Sequence, residues 1–240
     1  MLPHDPSPLL VAGFVALPVA MALLFLFAAR RVAGNVPGLA FLLAIWMGGT
    51  GALAAAGLLA HFDPPRPLPV LVVTVIGLVL LLRSPLGRRL ASLPLVLLVG
   101  FQAFRIGVEL LIHRAVDEGI APPEMSWDGY NLDILTGVTA LLVAPVATRL
   151  PRAALHAWNV VGLGLLLTVV GTGVLAMPSP LQQIHTTPPN VWIAHFPFIW
   201  LPTVLVAAAL LGHGLLFIAL RSAARPPGHG DRHQPALTDQ

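Results

Sequence analysis

Long apolar runs fill most of the chain, and short polar segments rich in Pro, Gly and Arg separate them. Each run is close to the ~20 residues that an α-helix needs to cross a bilayer, and too long for a barrel strand. The pattern therefore predicts an all-α membrane protein, a seven-transmembrane helix bundle. The predicted spans are Pro8–Ala29, Gly38–Ala60, Pro67–Leu82, Leu93–His113, Leu132–Leu150, Ala153–Met177 and Phe198–Leu220.

Composition agrees with this pattern. Of the 240 residues, 57% are hydrophobic and 10% are charged, whereas a soluble domain carries about 25% charged residues. No loop is long enough for a soluble domain, so we expect one helical domain over residues 1–221 with the lipid bilayer as its partner. The segment over residues 222–240 is rich in Pro, Gly and His, and we expect a disordered cytoplasmic tail there. The first run follows Met-Leu-Pro-His-Asp-Pro, which is not the basic start of a signal peptide, so it is interpreted as a retained span.

Arginine placement predicts the orientation of the bundle. Ten of the 13 basic residues fall in alternate loops and the tail, and only Arg66 and Arg114 fall in the opposite loops. The positive-inside rule then places the N-terminus outside and the C-terminus in the cytoplasm, for a multi-pass protein of the bacterial inner membrane. The high pI reflects this distribution, and we expect no nucleic-acid partner.

Two residue types are missing, and each absence excludes a class of chemistry. There is no cysteine, which excludes disulfides, thiolate catalysis and cysteine metal sites. There is no lysine, which excludes a retinal Schiff base.

The predicted fourth span carries an unusual polar stripe. Arg105, Glu109 and His113 follow one another at a spacing of four residues and therefore share one helical face. Arg105 can pair with Glu109, and Glu109 with His113, by the same spacing. Ionisable groups at membrane depth are costly and usually face a bundle interior or a wet cavity.

Other polar residues are expected at the same external side. Asn131 and Asp133 open the fifth span, while His61 and His195 lie in the loops beside the second and seventh spans. These residues and the stripe are predicted to converge on an outward-facing pocket. Arg105, Glu109, His113, Asn131 and Asp133 are the candidate ligand-binding residues.

Three functions remain open for this pocket. The first is binding or transport of a small molecule, with Arg105 as the anchor of an anion. The second is a membrane enzyme, a hydrolase or oxidoreductase, that holds a metal or haem through His61, His113 and His195 with Glu109 or Asp133. The third is a structural or assembly subunit, in which a buried ion pair only locks helices together. The oligomeric state is left open by the sequence.

Three segments support a family resemblance: Phe104–Arg114, Met125–Gly137 and Asn190–Thr203. They resemble uncharacterised bacterial seven-helix integral membrane proteins. That resemblance implies the fold and carries no assigned activity, so it does not favour any of the three candidate functions of the pocket.

Overall fold

The computed structural model describes Leu2 and residues 4–222, and its regular structure is helical except for one isolated β-bridge between Phe62 and Pro65. Residues 223–240, which hold nearly all of the predicted disordered tail, lie outside the described residues. The helices are α1 (Pro8–Ala33), α2 (Pro37–Ala55), α3 (Pro67–Arg83), α4 (Pro85–Leu90), α5 (Leu95–Asp117), α6 (Ile134–Val146), α7 (Arg152–Leu175) and α8 (Leu201–Ser222).

Each of the seven predicted runs overlaps one of these helices, and the short α4 is the addition. Five helices of the described chain, α1, α2, α5, α7 and α8, are long and apolar enough to cross a membrane. Helices α3 and α6 are apolar but shorter. The structure is thus compatible with a multi-pass membrane protein.

Proline and serine set where several helices begin. Pro8, Pro37, Pro67 and Pro85 each occupy the first turn of a helix, where the missing backbone N–H has no helical partner to lose. Ser7 caps α1 by accepting a hydrogen bond from the backbone N–H of Leu10 at 3.2 Å. Polar capping is therefore combined with proline in α1.

Helix α8 is the centre of the bundle. It packs against α1, α3, α5 and α7, and 50% of its apolar window is buried, compared with 22% for α1 and α2. Helix α2 is peripheral. The indole N–H of Trp46 donates to the backbone oxygen of Thr203 at 3.3 Å, and that of Trp200 donates to the backbone oxygen of Met47 at 3.0 Å. These bonds tie α2 to the start of α8.

A polar clamp defines one end of the molecule. The backbone N–H and the hydroxyl of Ser7 donate to the Glu118 carboxylate at 2.8 and 2.6 Å, and Arg114 Nε donates to the same carboxylate at 2.6 Å. The start of α1 and the end of α5 therefore share one face, which we call the N-terminal face. Most of the arginines lie at the opposite helix ends, on what we call the arginine face: Arg30, Arg31, Arg83, Arg88, Arg89, Arg149, Arg152 and Arg221.

Two helices depart from regular α geometry near the polar residues. Helix α5 contains a 3₁₀ turn over Phe101–Phe104, directly before Arg105. Helix α8 begins with a π turn over Leu201–Leu205, where Pro202 has no backbone N–H to donate. Such irregular turns inside helices are frequent at functional or strained positions, and these two lie on α5 and α8, which pack against each other.

Candidate functional site

A buried ion pair joins α5 to the start of α6. Arg105 is 1% exposed, and its Nε donates to Asp133 Oδ2 at 2.6 Å while Nη2 donates to Oδ1. The two parallel bonds form the bidentate geometry in which arginine binds a carboxylate most strongly. Asp133, and not Glu109, is therefore the hydrogen-bonded partner of Arg105.

The third nitrogen of Arg105 extends this network to α7 and α8. Nη1 lies 2.9 Å from His213 Nε2, and because arginine can only donate, the imidazole nitrogen accepts. His213 Nδ1 then carries the proton and donates to Asn159 Oδ1 at 2.7 Å. Asn159 Nδ2 donates in return to the backbone oxygen of His213 at 3.1 Å. One neutral histidine thus links Arg105 to two further helices.

Glu109 lies one turn away and has a different partner. Asn131 Nδ2 donates to Glu109 Oε2 at 2.6 Å and to the backbone oxygen of Met125 at 2.9 Å, and Asn131 Oδ1 accepts the backbone N–H of Asp133 at 3.0 Å. Within the described chain, Glu109 Oε1 accepts no hydrogen bond. The site therefore holds two carboxylates and one guanidinium, and the second carboxylate has a free oxygen.

A cavity of about 120 Å³ lies beside these groups, between α3, α5, α7 and α8. Arg105, Glu109 and Asp133 are the ionisable side chains in its lining, and almost all of the remaining wall is apolar. Each of these three residues is at most 5% exposed. The cavity wall is thus mostly apolar and includes three ionisable side chains.

The cavity opens on the flank of the bundle. Towards the N-terminal face it is bordered by Met125 and Ile193, which are buried. Its more exposed lining residues belong to α3, α7 and α8, and Val75 of α3 is 48% exposed. The sequence led us to expect an opening at the external face, and buried loop residues are part of the lining on the side of the N-terminal face.

Three glycines allow the helices to approach closely around the network. A Cβ at Gly137 would lie 2.9 Å from the backbone nitrogen of Ile106, and one at Gly162 would lie 2.8 Å from Thr136 Cγ2 and 3.0 Å from His213 Cε1. A Cβ at Gly212 would lie 2.6 Å from Gln102 Nε2. Small residues at such crossings are typical of helix packing in membranes.

His113 is separate from the buried network. Its ring stacks on Trp127 with centroids 4.0 Å apart, and its nitrogens lie 3.9 Å from Asp117 Oδ1 and 3.7 Å from Asp128 Oδ2. The predicted pairings of Arg105 with Glu109 and of Glu109 with His113 are therefore not formed as hydrogen bonds. The spacing of four residues brings side chains onto one face, but each of these three finds a better-placed partner on another segment.

The proposed metal ligands do not form a cluster in the described chain. His61 is exposed, and its Nε2 lies 2.6 Å from the backbone oxygen of Asp63. His195 Nδ1 lies 3.2 Å from the backbone oxygen of Val191, and burial lowers the pKa of this imidazole. No group of three or more His, Asp or Glu side chains that could hold a metal ion occurs among residues 4–222.

The sequence reasoning missed two members of the network. His213 and Asn159 were not among the candidate site residues, yet both are buried and connected to Arg105. A signal was present at His213, because it is a lone polar residue within an apolar run. Depth along a helix did not reveal the connection, since an arginine side chain reaches several ångströms towards a neighbouring helix.

Comparison with known proteins gives one match. A family model described as Domain of unknown function (DUF8737) matches residues 67–221, which is more than half of the chain. The match runs from the start of α3 almost to the end of α8 and includes the whole ion-pair network. No curated protein and no solved structure matches the chain.

Proposed function

The chain belongs to the family described as Domain of unknown function (DUF8737), and on this premise we propose that it is a seven-helix protein of the bacterial inner membrane that binds or transports a small molecule. In this proposal α3 and α6 also cross the bilayer, the N-terminal face is external and the arginine face is cytoplasmic. The ligand occupies the cavity between α3, α5, α7 and α8.

One observation carries the proposal: Glu109 has a carboxylate oxygen without a hydrogen bond from the described residues in a mostly apolar cavity. Glu109 lines the cavity, so a carboxylate oxygen that no described residue hydrogen-bonds is available there as an acceptor. Glu109 is 1% exposed and its Oε2 is used by Asn131, so Oε1 is the atom that a ligand can address.

We propose a different role for Arg105. All three guanidinium nitrogens donate to Asp133 or His213, so this side chain is occupied by the protein itself. We therefore assign Arg105 and Asp133 to holding the helices together, and Glu109, which Asn131 holds in place, to contacting the ligand. Arg105 as the anchor of an anion, which the sequence suggested, is less well supported.

Ligand-dependent stability of the purified full-length protein tests this function. The melting temperature in detergent is measured with a panel of small cations, anions and neutral molecules. We expect at least one chemical class to raise the melting temperature of the wild type, because a ligand that binds only the folded state stabilises it. Uptake into liposomes containing the protein then separates transport from binding.

Glu109→Gln supplies the matched comparison, with Asp117→Asn as the control on the same helix. Asp117 is 57% exposed in its side chain and lies outside the cavity lining. We expect the ligand-induced shift to vanish in Glu109→Gln and to persist in Asp117→Asn. A panel that shifts nothing, or an equal shift in Glu109→Gln, would contradict the proposed function.

A further inference from the structure

We infer that the cavity takes the cationic head of an amphiphile, an ammonium group on an alkyl chain, which enters from the lipid between α3 and α7 and donates to Glu109 Oε1. The inference rests on the proposed function and specifies its ligand class and route of entry. Three features of the site lead to it: the charge count, the nature of the walls and the position of the opening.

The charge count favours a cation. Asp133 and Glu109 are two carboxylates, and the one guanidinium beside them, Arg105, already binds Asp133 through two bonds. An ionised Glu109 therefore leaves one negative charge uncompensated in a region where burying an unpaired charge is costly. An ammonium head supplies both the missing positive charge and the donor for the free oxygen, whereas a carboxylate head supplies neither.

The walls favour an alkyl chain behind that head. Apart from the three ionisable residues and Thr74, the lining consists of apolar side chains and Gly173. The cavity of about 120 Å³ has room for a head and the first part of a chain, and its exposed rim lies on helices whose outer faces are apolar. A small hydrophilic amine would bury little apolar surface in this place, while an alkyl chain gains free energy from each buried CH₂.

The position of the opening favours entry from the bilayer. Met125 and Ile193, which are both buried, line the cavity towards the N-terminal face. The partly exposed lining residues Val75, Val170 and Val174 lie on α3 and α7. In a membrane these flanks face lipid, so a molecule dissolved in the bilayer reaches the cavity by lateral movement.

The test uses the full-length protein in nanodiscs of neutral phosphatidylcholine, titrated calorimetrically, with empty discs subtracted. The probes are dodecylamine, dodecanol and dodecanoate, which differ in the head, and propylamine, which has the same head and a short chain. We expect dodecylamine to bind at least about tenfold more tightly than the other three, because a charge-assisted hydrogen bond and the buried chain each contribute. Glu109→Gln should remove this preference and Asp117→Asn should retain it.

A second pair of variants tests the route without altering any charge. Val170→Trp places a large side chain at the rim, and Val161→Trp places the same side chain on the same helix at a residue that is 62% exposed and outside the lining. We expect at least about a tenfold loss of dodecylamine affinity in Val170→Trp alone.

The other outcomes distinguish failure of the ligand class, failure of lateral entry and failure of the proposed function. Tighter binding of dodecanoate, or of propylamine, overturns the ligand class and leaves the proposed function standing. Equal affinities in Val170→Trp and Val161→Trp overturn lateral entry. Binding of none of these probes overturns the inference, and it overturns the proposed function as well only if the broader panel of small molecules also fails to bind.

Discussion

At the scale of single residues, Arg105 shows how a charge buried in a long apolar helix is compensated. Spacing along α5 suggested Glu109 as its partner, but Asp133 of the next helix binds it through two parallel bonds and His213 accepts a third. A bidentate carboxylate matches the planar guanidinium better than a side chain one turn away along the same helix. The charge is thus compensated between helices, which also joins α5 to α6 and α8.

Removing Asp133 is expected to destabilise the protein strongly. Asp133→Ala leaves Arg105 buried without its counter-charge, and breaking a buried pair on one side costs about 3–5 kcal/mol. The double variant Arg105→Met with Asp133→Leu removes both charges, and we expect it to regain most of the loss. Thermal unfolding in detergent measures both, with Asp117→Ala as the exposed control. Equal stability of Asp133→Ala and Asp117→Ala would show that the pair does not hold the helices.

At the scale of helices, the crossings around the network depend on glycine. Gly137, Gly162 and Gly212 each lie where a Cβ would come within 3.0 Å of a neighbouring helix. At Gly162 the contact includes His213 of the network, and at Gly137 it is with Ile106, the residue after Arg105. The close approach is what lets Arg105, Asp133 and His213 come within hydrogen-bond distance. Packing and polar contacts at this crossing therefore depend on each other.

Helix α7 offers a matched pair of glycines for a test. A Cβ at Gly162 would lie 2.8 Å from Thr136 Cγ2, whereas a Cβ at Gly164 meets nothing within 4 Å. We expect Gly162→Ala to lower the free energy of unfolding by about 1–3 kcal/mol through overpacking. Gly164→Ala should be neutral or stabilise by up to about 1 kcal/mol, since alanine favours the helix. Thermal unfolding of both variants is the measurement, and equal effects would contradict the close crossing.

A second prediction at this scale concerns the clamp between α1 and α5. Although partial burial opposes it, the hydrogen bonds from Ser7 and Arg114 hold the pKa of Glu118 below its usual 4.5. A lowered pKa in the folded state means that the clamp contributes its full stability above about pH 4.5 and loses it as the pH falls through the lower, folded value.

Stability against pH, compared between wild type and Glu118→Gln, measures this effect. We expect the wild type to be the more stable at neutral pH and the difference to shrink as the pH falls below 4.5. Glu124→Gln, on the neighbouring loop, serves as the control. A difference that stays constant down to strongly acidic pH would contradict a role for the ionised carboxylate.

At the scale of the whole molecule, the two faces differ in charge. The arginine face carries basic residues at the ends of α1, α3, α4 and α8, while the N-terminal face carries acidic residues around the end of α5, among them Asp117, Glu118, Glu124 and Asp128. This asymmetry supports the proposed orientation, with the arginine face in the cytoplasm.

The absence of native cysteine makes that orientation directly testable. Ser92 on the arginine side and Gln183 in the long loop after α7 are both exposed. We expect a membrane-impermeant maleimide to label Gln183→Cys in intact cells and to label Ser92→Cys only after the membrane is permeabilised. The reverse pattern would show the inverted topology. Labelling of both variants in intact cells would show that the two positions do not lie on opposite sides of the membrane.

The sequence by itself determined the class of the protein and the residues of interest. Long apolar runs require helices in a bilayer because every backbone polar group must be satisfied within the segment, and each predicted run overlaps a helix. Arg105, Glu109, Asp133 and Asn131 stood out because polar residues at membrane depth are costly, and the structure does bring these four together.

Only the tertiary structure determined which residues hydrogen-bond to Arg105 and which residues line the cavity. Helical periodicity gives the face and depth of a residue but not the neighbouring helix, so His213 and Asn159 could not be assigned to Arg105, and His113 was placed too close to the network. Likewise, the presence of Met125 and Ile193 in the cavity lining depends on how two loops pack against the helices. These contacts join residues far apart in the chain, and such long-range packing is not encoded in any local pattern.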